Sequence, residues 1–298
     1  MAEMTKSRSA LLSVGSNSGL ILLKVVAGSV TGSVAILTEA LHSAIDLVAS
    51  IIAWLSVRKA DEPADESHLY GHEKIEDLSS AIEGILILVG SGVIAFEAIR
   101  HLILGSQVEK IGFGIVVVAI GLVVNVVVSA ELRRRAEATQ SPALAADATH
   151  LRTDVVTSAG VILGLALVKI TGANWIDPAV ALALAAAIAV QGFRIVTQSS
   201  RVLVDEALPD DELTAIRETV SEFGPRGVAG FHKLRARRAG ARRYVDLHVQ
   251  FREGTTLEDA HTTTHQLQDA IRERLGGADV LIHLEPADRV QPGTEVRA

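Results

Sequence analysis

The first two thirds of the chain is a succession of long apolar runs broken by short polar stretches, and the last third alternates apolar with polar residues. An α-helix needs about 20 apolar residues to cross a hydrocarbon core of ~30 Å. Six runs reach that length, at roughly 9–30, 33–57, 78–100, 111–132, 144–170 and 178–198. The first follows Lys6 and Arg8, but it is longer than the apolar region of a leader and offers no persuasive cleavage site, so it reads as a retained span. The pattern predicts an all-α six-helix transmembrane bundle over residues 1–205.

After Arg201 the period changes. PDDELTAIRETVSEF places acidic residues after a proline and apolar residues at helical spacing, which predicts a helix. VAGFHKLRARR and ARRYVDLHVQF read as strands around a tight Ala239-Gly240 turn, LEDAHTTTHQLQDAIRERL as a helix ended by Gly276 and Gly277, and ADVLIHLEP as a third strand. The order α-β-β-α-β predicts an α+β cytoplasmic domain over residues 206–290, one sheet with helices on one face. Residues 291–298 read as a disordered tail. Period-two alternation puts Val245, Leu247, Val249 and Phe251 toward the core and Tyr244, Asp246, His248 and Gln250 on the other face. By the same rule Val280, Ile282 and Leu284 face inward, while Leu281, His283 and Glu285 point the other way.

Composition supports a membrane protein: 49% of residues are hydrophobic, only 3% are aromatic, and the mean hydropathy is +0.35. The cationic residues are sorted by side. Lys6, Arg8, Arg58, Lys59, Lys74 and Arg133 to Arg135 flank alternate ends of the runs, and the opposite connections are nearly bare, which puts both termini in the cytoplasm. A net charge of −7 and the lack of a nucleic-acid motif set that partner aside. There is no cysteine, so thiolate metal sites of the kind that suit Cu(I) are excluded.

Ionisable residues inside the apolar runs are the main functional signal. His42 with Asp46, and His150 with Asp154, are each four residues apart in TGSVAILTEALHSAIDLVASIIAWLSV and SPALAADATHLRTDVVTSAGVILGLALV. On a helix a spacing of four is about 400° of rotation, so each pair shares one face, about a turn apart. An Asp at mid-bilayer costs roughly 2.5–3.5 kcal/mol on insertion scales, and such residues face the bundle interior, pair, or mark an ion path. Each pair is half a metal site. Asn17 and Asn125 are polar groups able to bond across helices, and Gly84, Gly90 and Gly92 are suited to close helix packing, as is the GxxxG spacing of Gly28–Gly32 and Gly160–Gly164. HEKIE at 72–76 lacks the second histidine of a metalloprotease HExxH.

The motifs GSVAILTEALHSAIDLVAS, DESHLYGHEKIEDL, SPALAADATHLRTDVVTSAGV and HLEP together resemble the cation diffusion facilitator family of divalent-metal/proton antiporters, its zinc/iron branch in particular. The resemblance covers nearly the whole chain. It implies a homodimeric exporter of the inner membrane, not an enzyme, with Zn²⁺ as both cargo and regulatory ligand, a metallochaperone-like tail and no organic cofactor. It implies a transport site of His42, Asp46, His150 and Asp154, a set that Zn²⁺ accepts tetrahedrally. A manganese preference goes with Asp in place of His in these pairs, so Zn²⁺ is expected, with Fe²⁺, Cd²⁺ and Co²⁺ as further cargo. Asp65, His68 and His72 match the family's loop ligands. His232, His248, His261, His283 and Glu285 match a two-metal cluster near the dimer contact, where Glu285 stands in place of the commoner Asp. Lys74 and Asp205 match a charge interlock between bundle and tail, and His265 has no assigned role and reads as surface. The alternatives are a membrane metal sensor that does not transport, and an exporter whose physiological cargo is iron or manganese.

Overall fold

Each apolar run forms a helix that outlasts its apolar stretch. The computed structural model describes residues 6–31, 34–104, 112–171, 175–289 and 296; some helical side chains, that of His42 among them, lie outside the described set. The chain divides into two compact units, Met1–Ser200 and Arg201–Ala298.

In the first unit the helices are α1 (Lys6–Thr31), α2 (Val34–Ala60), α3 (Lys74–Leu104), α4 (Gly112–Thr139), α5 (Pro142–Thr171) and α6 (Ile176–Leu203), the last running on past the division. Two prolines fall where a helix tolerates them. Pro142 is the first residue of α5, directly after Ser141, whose Oγ accepts from the Leu144 N–H at 3.3 Å, and Pro178 lies in the first turn of α6. Among the described residues, two helices, Lys74–Arg100 and Pro178–Leu203, are long and apolar enough to cross a membrane by length and composition. The other four runs fall partly on side chains outside the described set.

Polarity in this unit is inverted relative to a water-soluble bundle. Leu22, Val26, Val89, Val93, Phe96, Val123, Val127, Val190 and Phe193 are exposed, while Ser13, Asn17, Asp46, Ser50, Glu83, Asp147 and His150 are buried. Lipid solvates the first group and would not solvate the second, so the polar side chains must find one another inside. A dry cluster of Ala10, Val57, Leu132, Ala143, Leu144 and Leu151 joins α1, α2, α4 and α5 beneath them. The α3–α6 crossing is closer: a Cβ on Gly84 would lie 2.8 Å from Val196 Cγ2, and one on Gly192 would lie 3.1 Å from the Gly84 carbonyl oxygen. Gly90 and Gly92, by contrast, meet nothing within 4 Å.

The second unit has the order α7 (Asp210–Ser221), β1 (Val228–Ala239), β2 (Arg242–Phe251), α8 (Leu257–Arg274) and β3 (Asp279–Pro286). The sheet order is β1-β2-β3, with β1 antiparallel and β3 parallel to β2. Val245, Leu247, Val249, Val280 and Ile282 pack against Ile216 and Val220 of α7 and Leu267 and Ile271 of α8, so both helices cover the face the alternation indicates. Tyr244 and Gln250 depart from that pattern, being buried although they share a face with His248. The hairpin turn is Gly240–Ala241, one residue later than expected, with Gly240 at φ +53°. Val296 falls in the stretch read as a disordered tail, yet its N–H donates to the Ala229 carbonyl at 2.9 Å and its side chain joins the core. The rest of that stretch lies outside the described residues.

Candidate metal centres

Asp46 on α2 and His150 on α5 meet in the middle of the first unit. Asp46 Oδ1 is 3.2 Å from His150 Nε2, and both side chains are buried. Asp154, one turn after His150 and half-buried, contributes a third donor, and ligand atoms of the three lie within 4.8 Å of one another. His150 Nδ1 is buried and has no hydrogen-bond partner among the described residues. His42 is on the same helix as Asp46, one turn earlier; its side chain is outside the described residues.

Behind these donors runs a polar network that links three helices. Asn17 Nδ2 donates to the Asp46 carbonyl oxygen at 3.4 Å and to Ser50 Oγ at 2.8 Å. Ser13 and Ser50 share a 2.8 Å hydroxyl contact, and Ser13 donates to Asp147 Oδ1 at 3.1 Å. The cross-helix role expected for Asn17 is thus specific: it anchors the backbone that carries Asp46. Asp147, Ser13 and Ser50 were not singled out from the sequence. Their signal is spacing, because Ser50 is one turn after Asp46, Asp147 one turn before His150, and Ser13 one turn before Asn17.

The loop group is built on one Asx-type turn. Asp65 Oδ1 accepts from the Ser67 N–H at 2.8 Å, the Ser67 hydroxyl at 2.8 Å and the His68 N–H at 2.7 Å. The Ser67 hydroxyl first and the His68 N–H second hold this carboxyl well below the usual carboxylate range. The left-handed φ of +89° at Gly71 turns the chain back, and a Cβ there would strike the Glu73 carboxylate. That turn puts the His68 and His72 rings 4.5 Å apart. His72 is 3% exposed and, among the described residues, neither ring nitrogen makes a hydrogen bond, although Nε2 is 3.3 Å from Asp65 Oδ2. Ligand atoms of Asp65, His68 and His72 lie within 4.8 Å of one another, so the group could hold a metal ion.

On the sheet, register explains the third group. His232, His248 and His283 are direct cross-strand partners on three adjacent strands, with rings 5.1 and 4.6 Å apart. Glu285, two residues after His283, reaches back across them: Oε2 is 2.8 Å from His232 Nε2, and Oε1 is 2.7 Å from His248 Nδ1 and 4.0 Å from His283 Nε2. Gln250 adds a 3.3 Å hydrogen bond. His248 first, then Gln250 and His232, hold the Glu285 carboxyl down at about 2. The longer arm of Glu therefore spans the two outer strands. Among the described residues, the shared donor set is His232, His248 and Glu285. His261 sits on α8, where its Nε2 is 3.1 Å from that of His265.

Lys74 opens α3 in the first unit. Asp205, in the second, has φ +61° and accepts from Arg237 Nη1 at 2.9 Å.

Residues 10–204 match the profile of the cation efflux transmembrane domain, and residues 208–287 that of the cation efflux protein cytoplasmic domain. The chain belongs to the cation diffusion facilitator family. It is 34% identical over 279 residues to a Synechocystis protein described as an uncharacterized transporter, sll1263, covering 94% of this chain and 90% of that one. It is 34% identical to the cation-efflux pump FieF of Escherichia fergusonii (95% and 94% covered) and 33% identical to that of Serratia proteamaculans (99% and 97%). Among solved structures, the zinc form of CzrB, described as a zinc transporter, is 32% identical, covering 29% of this chain and 98% of that one with a TM-score of 0.28. The C-terminal domain of the Thermotoga maritima CzcD transporter is 26% identical, covering 28% and 100%, with a TM-score of 0.25. This family member is a transporter of divalent metal cations with a membrane domain and a cytoplasmic domain, and it is not an enzyme.

Proposed function

We propose that this transporter exports Zn²⁺ from the cytoplasm in exchange for protons, as a homodimer in the inner membrane with six spans and both termini cytoplasmic. The observation that carries the reading is the convergence of the buried Asp46 and His150 with the half-buried Asp154 from two helices; the family resemblance makes His42 the fourth donor. Two carboxylates and two imidazoles suit Zn²⁺, whereas Mg²⁺ and Ca²⁺ take all-oxygen shells. Fe²⁺, Cd²⁺ and Co²⁺ accept similar donors and are secondary cargo. The sorting of Lys and Arg supports the orientation.

Coupling follows from competition. Metal requires neutral imidazole and ionised carboxylate, so protons and metal contend for the same atoms, and protons arriving from the outer side displace the ion. Asp65, His68 and His72 hold a second ion at the loop. His232, His248, His261, His283 and Glu285 hold regulatory zinc, which draws two tails together and favours the transport-competent arrangement through its differential affinity.

The test is zinc flux in proteoliposomes driven by a pH gradient. Asp154→Ala and His42→Ala are expected to abolish it while the protein still assembles; flux at the original rate in either variant would overturn the transport site.

A further inference from the structure

At one end of the first unit a single carboxylate ties the starts of α1 and α5 to α3. Glu76, in the first turn of α3, is 2% exposed, and each of its oxygens has its own donor. Lys6, which opens α1, reaches Oε1 at 3.0 Å, and the Ser141 hydroxyl, just before α5, donates to Oε2. The Lys6 ammonium also lies 3.6 Å from Asp61 Oδ1, directly after α2. At the same end Trp54 Nε1 of α2 donates to Ser7 Oγ of α1 at 3.2 Å. Going toward this end, the order along α1, α2 and α5 is the same. His150 and Asp147 are followed by Leu144 and then Ser141, Asn17 by Ala10 and then Lys6, and Asp46 by Val57 and then Asp61. Polar groups at the donors, a dry layer and the charged tie are thus stacked, with Ser141 about 13 Å along α5 from His150 at 1.5 Å per residue. The described members of the dry cluster come from α1, α2, α4 and α5, and Glu76 brings α3 across its end.

We propose that Lys6, Glu76 and Ser141 form a clasp that shuts this end of the bundle, and that it has to open before a divalent cation can pass between this end and the buried donors. The clasp is two-state by its chemistry. A buried carboxylate that loses its ammonium is left as an uncompensated charge away from water, so Glu76 is stable either clasped or rehydrated, and not between. Closed, it holds an ammonium at the mouth, which repels a divalent cation; open, it presents a carboxylate, which attracts one. The Ile75 N–H donates to the His72 carbonyl at 3.0 Å, so the turn that carries Glu76 starts from the loop group and moves with it. That this end faces the cytoplasm rests on the proposed orientation; the closure itself does not.

The chain has no cysteine, so one introduced thiol reports alone. Ala143, 0% exposed in the dry cluster, is replaced by cysteine, and the full chain in detergent is labelled with a charged methanethiosulfonate. Labelling is expected to be slow with the clasp intact and on the order of tenfold faster with Lys6→Met or Glu76→Gln, each of which leaves one partner of a buried ion pair behind. Gln keeps the shape of the side chain and an acceptor for Ser141. Because the two groups act through each other, Lys6→Met with Glu76→Gln should label no faster than the faster single variant. A cysteine at Ala98, buried toward the other end of α3, should stay slow throughout. Unchanged labelling at Ala143→Cys in both single variants, or additive acceleration in the double variant, would overturn the clasp. So would equal acceleration at Ala98→Cys, which would mean a bundle loosened as a whole. In intact cells a membrane-impermeant reagent added outside should miss Ala143→Cys even in the unclasped variants; reaction there would refute the proposed orientation and leave the clasp standing.

Discussion

At the scale of single residues, the membrane unit is governed by the difficulty of leaving a polar atom unpartnered away from water. Asn17 shows how that requirement becomes positional. Its amide ties the Asp46 carbonyl on α2 to Ser50, and Ser13 and Ser50 continue the chain to Asp147. Asn17→Ala removes two hydrogen bonds at a buried site, a loss of about 1–3 kcal/mol for the groups left unsatisfied. Since Asn17 supplies no metal donor, zinc affinity at the buried group is expected to fall modestly in the variant, several-fold by equilibrium dialysis, while Asp46→Ala loses that group's ion and keeps those of the loop and sheet groups. Equal losses would mean that Asn17 does more than hold α2. Glu285 is the corresponding residue on the sheet. Glu285→Gln keeps the shape but not the charge, and is expected to lower zinc bound per chain, with Glu285→Asp restoring part of it.

At the scale of elements, the long helices and the α-β-β-α-β order were legible because run length and period report local burial directly. Asp46, His150 and Asp154 stood out in the sequence for the same reason, as ionisable groups where the surroundings are apolar. What lay beyond the sequence is what depends on the partner element. Alternation put Gln250 on the polar face with His248, but it cannot say that Gln250 is fully buried there. Asp147 and Ser50 gained meaning only when α1, α2 and α5 came together, and Gly84 was separated from Gly90 and Gly92 only by the α6 backbone crossing it. Gly84→Val is therefore expected to destabilise the bundle strongly, with Gly90→Val nearly silent, as read by thermal unfolding in detergent. A second element-scale test concerns α7 and β2, where Arg243 donates twice to Glu212, at 2.6 and 2.9 Å. Arg243 holds the Glu212 carboxyl below its ordinary value of 4.5, so the pair's contribution is complete above pH 4.5 and is lost as the pH falls below it. With solvent screening this is about 1 kcal/mol. Denaturant midpoints of wild type and Glu212→Gln should differ at pH 7 and converge near pH 3.

At the scale of the whole molecule, the described residues of two compact units carry three donor groups of different character. The group between α2 and α5 is buried and internally braced. The loop group is turned by Gly71 around a buried His72, and the sheet group is laid out by strand register. Such a division fits a transporter whose cargo position must be shut off from water and whose regulatory positions must sample the cytoplasm. The central claim is the exchange of zinc for protons at the buried group. Its most direct test is simultaneous recording of zinc uptake and proton release in vesicles of the purified chain, with and without an imposed pH gradient. Zinc movement should rise with the gradient, be accompanied by proton counterflow, and vanish together with that counterflow in Asp46→Ala. Zinc flux that is indifferent to the gradient and moves no protons would contradict the account.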